Sequence, residues 1–146
     1  MKTFLLIFTI LFFFQRIKST PRFLSKKMYK KYVQKGITTM QETLAENSSI
    51  STDDYKAIIV ALSVAVYIFC FVFYLLLASR FSDITFLYIL SVLQAVAVMI
   101  SAWGDIKENP FSENVEDHKF YRLYFLFNVI LDYIYYPAVI YMLLNP

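Results

Sequence analysis

Asp132 is the one residue of this chain placed where unusual chemistry is forced on it. It stands at the middle of FYRLYFLFNVILDYIYYPAVIYMLL, Phe120 to Leu144, with Asn128 one turn earlier and Pro137 shortly after. The stretch is 25 residues, which as a helix reaches roughly 37 Å and crosses a bilayer core of about 30 Å with some tilt. At about 100° per residue, Tyr121, Tyr124, Phe125, Asn128, Asp132, Tyr135 and Val139 share one narrow sector. Leu123, Ile130, Ile134 and Ala138 fall on the other, apolar sides.

An ionised carboxylate at bilayer depth is costly and must be neutralised, paired or hydrated. No Lys, Arg or His lies within the core of a long apolar stretch, so the sequence shows no evident counter-charge. Two readings follow. In the first, Asp132 is protonated and hydrogen-bonds to Gln94, Asn128 or a tyrosine such as Tyr124 or Tyr135. In the second, it meets a cation on a partner subunit or binds a permeating proton or cation. Pro137 bears on both, because it has no backbone donor and leaves the Tyr133 carbonyl free, one residue from the acid. Twelve tyrosines occur in the chain; those around the acid read first as packing with satisfied hydroxyls.

Other chemistry finds little footing. One histidine and one cysteine cannot build a structural metal site. No glycine-rich phosphate loop, nucleophile elbow or paired-histidine helix is present. The expectation is a non-enzymatic protein with no cofactor and no metal. Cys70 can form no intramolecular disulfide and reads as a small hydrophobe.

The surroundings explain how such an acid is positioned. The chain has 146 residues, 59% of them hydrophobic and 19% aromatic. Apolar runs of membrane length, without period-two alternation, point to helices in a bilayer rather than a soluble core or a β-barrel. The predicted class is an all-α membrane protein: three long transmembrane helices, a short hydrophobic N-terminal segment and a basic amphipathic helix. The three long spans are placed at 57–79, 84–102 and 120–144, within a membrane domain covering 51–146.

Residues 1–20 form the hydrophobic N-terminal segment. Its apolar run, Thr3 to Phe14, is twelve residues, short for a span and right for a signal-peptide core. Yet Ile17-Lys18-Ser19-Thr20-Pro21 is a poor cleavage site, and the basic residues follow the run instead of preceding it. A removed signal and a retained anchor or interface-lying segment fit equally, and a fourth span is possible. The absence of acids before Glu42 also suits an organelle transit segment.

Residues 21–50 form a basic arm. Val33, Ile37, Met40 and Leu44 recur at helical spacing, while Lys26, Lys27, Lys30, Lys31 and Lys35 load the first half. Such a helix is expected to lie on the headgroups. Gly36 weakens it by about 1 kcal/mol relative to alanine, enough to suggest a break. Residues 1–36 hold nine Lys/Arg and no acid, whereas the rest of the chain holds five Lys/Arg and 11 acids. That asymmetry favours anionic lipid at up to about 1 kcal/mol per basic residue, and nothing suggests nucleic acid.

Ser51-Thr52-Asp53-Asp54 reads as a capping box for the first long span. Ala57, Ala61 and Ala65 then repeat every fourth residue, a small-residue stripe on which another helix can pack closely. Arg80 to Asp83 is a tight connection, with Ser82 or Asp83 expected to cap the next span. In that span Gln94 shares a side with Leu87, Ser91, Val98 and Ser101, a side that must face protein. The linker 105–119 carries five acids and His118, with turn signals at Asn109-Pro110 and a cap at Asn114 to Asp117. Asn47-Ser48-Ser49 matches a glycosylation sequon, but its basic flank argues for the cytoplasmic side.

By the positive-inside rule the basic arm and acidic linker face the cytoplasm. The expected role is an accessory or assembly subunit of a membrane complex in a bacterial plasma membrane or the mitochondrial inner membrane. Its partners would be the lipid bilayer and another membrane subunit or a second copy. The alternative is a small self-assembling pore, or a proton- or cation-conducting component that uses Asp132.

Overall fold

The computed structural model describes residues 1–46, 51–107 and 119–145; the sequon at Asn47, the turn and cap signals between Asn109 and Asp117, and His118 lie outside them. Five helices follow in order: α1 (Lys2–Leu24), α2 (Lys26–Glu46), α3 (Thr52–Arg80), α4 (Thr85–Lys107) and α5 (Lys119–Leu144). No strand occurs among the described residues. Four of the helices, α1, α3, α4 and α5, are long and apolar enough to cross a membrane.

That number corrects the expectation of three. The apolar run of α1 was judged to stop at Phe14 because Arg16 and Lys18 follow. The helix instead continues for a total of 23 residues, about 34 Å at helical rise. The charge that seemed to end the run does not end the helix, because Arg16 has a partner inside the protein.

Local chemistry sets the ends. Ser51 is the N-cap of α3: its side chain accepts from Asp54 N–H at 3.1 Å, while the Asp54 carboxylate accepts from the Ser51 hydroxyl at 2.6 Å and not from its backbone N–H, so one half of the expected capping box forms. Phe81 closes α3, its N–H donating to the Leu77 and Ala78 carbonyls. The Phe81 carbonyl in turn accepts from Ile84 N–H at 2.9 Å. α4 therefore starts at Thr85, behind Ile84, and the expected cap by Ser82 or Asp83 is not formed. Between α1 and α2 a single extended residue, Ser25, breaks the helix. Gly36 does not break α2, which runs through it with open space around the position.

Contacts give the directions. Phe13 of α1 lies against Tyr133 and Tyr136 of α5, and Thr20 meets Tyr133, so α1 and α5 are antiparallel neighbours. Ser91, Gln94 and Ala97 of α4 meet Tyr135, Asp132 and Tyr124 of α5 in reverse order, which makes this pair antiparallel as well. The short turn does the same for α3 and α4. Hence α2, the start of α3 and the end of α4 gather at one end of the bundle. The 81–84 turn and the beginning of α1 sit at the other.

Polarity is turned inward. Thr9, Ser91, Gln94, Asn128 and Asp132 are buried, whereas Phe4, Ile7, Leu11 and Phe14 of α1 and Phe86, Ile89, Leu93 and Val96 of α4 are exposed. A soluble protein hides such residues. Here the exposed circumference is the apolar one, as a bilayer solvent requires. Inside, Phe8 and Phe12 of α1 meet Phe69 and Phe73 of α3 with ring centroids 5.1 to 6.4 Å apart. Such aromatic pairs contribute roughly 0.5–1.5 kcal/mol each beyond their buried area.

Candidate functional site

The sector of α5 predicted to be polar is the one that faces the protein. Asp132 and Tyr135 are fully buried, and Asn128 nearly so. The acid is met from both sides, by α4 and by α1.

From α4, Gln94 Nε2 donates to Asp132 Oδ1 at 2.6 Å. From α1, Arg16 Nε meets Asp132 Oδ2 as an ion pair. Oδ2 accepts no aligned hydrogen bond among the described residues, so the guanidinium charge is what offsets it. The sequence shows no evident counter-charge and leaves Asp132 either protonated and bonded to Gln94, Asn128 or a tyrosine, or paired with a partner's cation or a permeating ion; the structure places Gln94 on one oxygen and supplies a cation from α1. A buried pair of this kind adds little net stability over an apolar pair, yet losing one partner costs about 3–5 kcal/mol. The pair brings Arg16 of α1 against Asp132 of α5.

Hydroxyls complete the cluster. Ser91 Oγ donates to the Leu87 carbonyl and shares a 2.8 Å hydrogen bond with Tyr135 Oη. Tyr74 of α3 and Tyr136 of α5 pair their hydroxyls in the buried interior. Tyr124, half-buried, donates to the Ala97 carbonyl at 2.7 Å, tying the start of α5 to the end of α4. Each of these groups would be expensive to leave unpaired away from water.

The residues singled out from the sequence separate into those brought together and those that are not. Asp132 and Gln94 bond each other, Tyr135 bonds Ser91 and Tyr124 bonds the Ala97 carbonyl, three separate contacts between α5 and α4, while Asn128 lines a cleft instead of bonding the acid. Pro137 sits exposed in an uninterrupted α5. Ala57, Ala61 and Ala65 are exposed among the described residues; α3 buries Phe73, Tyr74, Leu77 and Ala78. Lys27, Lys30, Lys31 and Lys35 are exposed on α2, with Tyr29 and Ile37 buried on its other face; Lys26 opens the helix. The Arg22 guanidinium lies 4.4 Å above the Tyr32 ring and links α1 to α2.

Arg16 and Tyr74 belong to the site although the sequence does not single them out. For Arg16 a signal existed: Leu5, Thr9, Phe12 and Arg16 fall on one helical face, and an unmatched acid waited elsewhere.

A cleft of about 260 Å³ reaches this cluster from the end of the bundle where α2 lies. Gln15 and Val66, both exposed, mark its rim, and the buried Gln94, Asn128 and Tyr136 form its floor. Arg16 lines it, with 23% of its side chain accessible; Asp132 does not.

The chain matches no protein-family model, no curated protein and no solved structure.

Proposed function

We propose that this protein is a non-enzymatic accessory or assembly subunit of a membrane complex, a four-span body that displays a basic helix on one membrane face. The observation that carries this reading is the inward distribution of polar groups. Asp132, Gln94, Ser91 and the buried tyrosines are spent on Arg16 and on one another. Two surfaces are left over for partners. One is the lysine face of α2, suited to anionic headgroups or an acidic cytoplasmic partner. The other is the stripe Ala57, Ala61, Ala65, where a helix of another subunit or of a second copy can approach closely. In this arrangement α2 lies on the cytoplasmic side and the 81–84 turn on the opposite one, in keeping with the positive-inside rule.

Purification in mild detergent followed by mass spectrometry tests the reading. A stoichiometric membrane partner, or a homodimer, is expected, and Ala61→Phe should release it while leaving the bundle folded. A chain that stays monomeric and partnerless in membranes at native expression would refute it.

The conducting alternative has one supporting observation, the cleft that reaches the level of the ion pair. It is the weaker reading because Arg16, a cation, lines that cleft and Asp132 does not. Proton or cation flux in liposomes, abolished by Asp132→Asn, would reverse this ranking.

A further inference from the structure

We propose that the cleft beside Arg16 is a binding site for the uncharged, carbonyl-bearing head of a membrane-soluble lipid. The argument starts from donors. Arg16, Gln15, Gln94, Asn128, Ser19 and Ser101 all line the cleft and all carry N–H or O–H groups. No acid lines it among the described residues, and Gln94 and Arg16 already engage the two oxygens of Asp132. Among the described residues the Arg16 guanidinium makes no hydrogen bond beyond that ion pair. Ser19 and Ser101 already give their protons to the Arg16 and Ala97 carbonyls and Gln94 donates to Asp132, so the donors with capacity to spare are the Arg16 guanidinium and the Asn128 and Gln15 amides; at a depth where lipid offers no donor, they suit a ligand that accepts.

Charge selects further. The Arg16–Asp132 pair is neutral as a unit, so a carboxylate or phosphate entering the cleft would be stripped of water with no net cation to meet it. An ester or ring carbonyl has no such cost. Shape points the same way. Phe12, Tyr67, Tyr74, Phe125 and Tyr136 give the cleft aromatic walls between which a flat head can lie. Its volume, about 260 Å³, falls just below the roughly 300 Å³ at which small-ligand sites begin. That accommodates a head group but not a whole lipid, and the exposed rim at Gln15 and Val66 leaves the tail in the acyl layer. Two lipid classes carry this chemistry: quinones, through ring carbonyls, and acylglycerols, through esters.

The full-length protein in a maltoside detergent, which has no carbonyl of its own, is titrated with decylubiquinone, monoolein and oleate, and bound ligand is counted by native mass spectrometry. Saturable one-to-one binding of decylubiquinone or of monoolein is expected, and whichever saturates first identifies the class. Ser101→Phe and Ser19→Phe fill the cleft, and Gln15→Leu removes a rim donor without touching the ion pair. The filling variants should weaken binding by about tenfold or more and Gln15→Leu by about threefold. Ser82→Phe, at the far turn, should leave it unchanged. Thermal unfolding identifies variants that have kept their fold, and any one of the three cleft variants suffices. Binding of oleate alone, no saturable binding of any of the three, or binding undiminished in a folded cleft variant overturns the proposal.

Discussion

Removing one member of the Arg16–Asp132 pair should cost more from the α1 side than from the α5 side. Arg16→Gln leaves a carboxylate with no accessible surface and no cation. To remain buried it must take up a proton, and neutralising an ordinary carboxyl of pKa about 3.9 at about pH 7 costs roughly 4 kcal/mol. That agrees with the roughly 3–5 kcal/mol typical of a broken buried pair. The sign with pH follows from proton uptake. The folded variant holds a proton that the unfolded chain releases, so its deficit shrinks by about 1.4 kcal/mol for each unit the pH falls toward 4. Asp132→Asn behaves differently, because the amide oxygen can still accept from Gln94 and the freed guanidinium has 23% of its surface at the cleft, where water can reach it. A loss of about 1–3 kcal/mol, independent of pH between about 5 and 8, is expected. The double variant Arg16→Gln/Asp132→Asn should recover to within about 1–2 kcal/mol of the parent, since a neutral amide pair replaces a neutral ion pair. Unfolding by SDS in mixed micelles at about pH 5.5 and 7.5 reads all four proteins. Single variants that both stay within about 0.5 kcal/mol of the parent would place the pair among exposed ion pairs and refute the reasoning.

Three further outcomes follow from the same architecture. In a Cys70→Ser background, cysteines at Lys2 and Ser82 should be labelled by an impermeant maleimide from one side of sealed vesicles and a cysteine at Lys31 from the other; labelling of Lys2 and Lys31 together would mean that α1 does not cross. Tyr74→Phe or Tyr136→Phe should each lower stability by about 1–2 kcal/mol by stranding one hydroxyl, whereas the double variant should cost less than the two losses added, as a double-mutant cycle would show. Replacing Lys27, Lys30, Lys31 and Lys35 by glutamine should abolish any extra amide-exchange protection of α2 in anionic over zwitterionic nanodiscs, at up to about 1 kcal/mol per charge; unchanged protection would assign α2 to a protein surface instead.

Much of the helix layout was legible in the chain because composition and periodicity are local. Apolar runs mark α3, α4 and α5 to within about five residues, and Ser51 with Asp54 announces the start of α3. The polar sector of α5 also read correctly, since a single wheel places Asn128, Asp132 and Tyr135 together and lipid excludes them from the outside. What failed was non-local. Arg16 looked like the end of a hydrophobic run because its compensating charge lies on the last helix, and no window of sequence contains both. The alanine stripe shows the same limit: its spacing states that a helix can approach, not which helix does. Ser82 and Asp83 lost the cap of α4 to a tight turn in which the Phe81 carbonyl took the Ile84 donor.

The contact between α1 and α5 joins the earliest and latest helices of the chain, and that has a consequence in time. Ribosomes add about 5–20 residues per second, so Arg16 is made roughly 6–25 s before Asp132 exists. Through that interval α1 carries an uncompensated cation, and it is the least hydrophobic of the four membrane-length helices. The Arg16–Asp132 pair therefore cannot close until the last helix has been made.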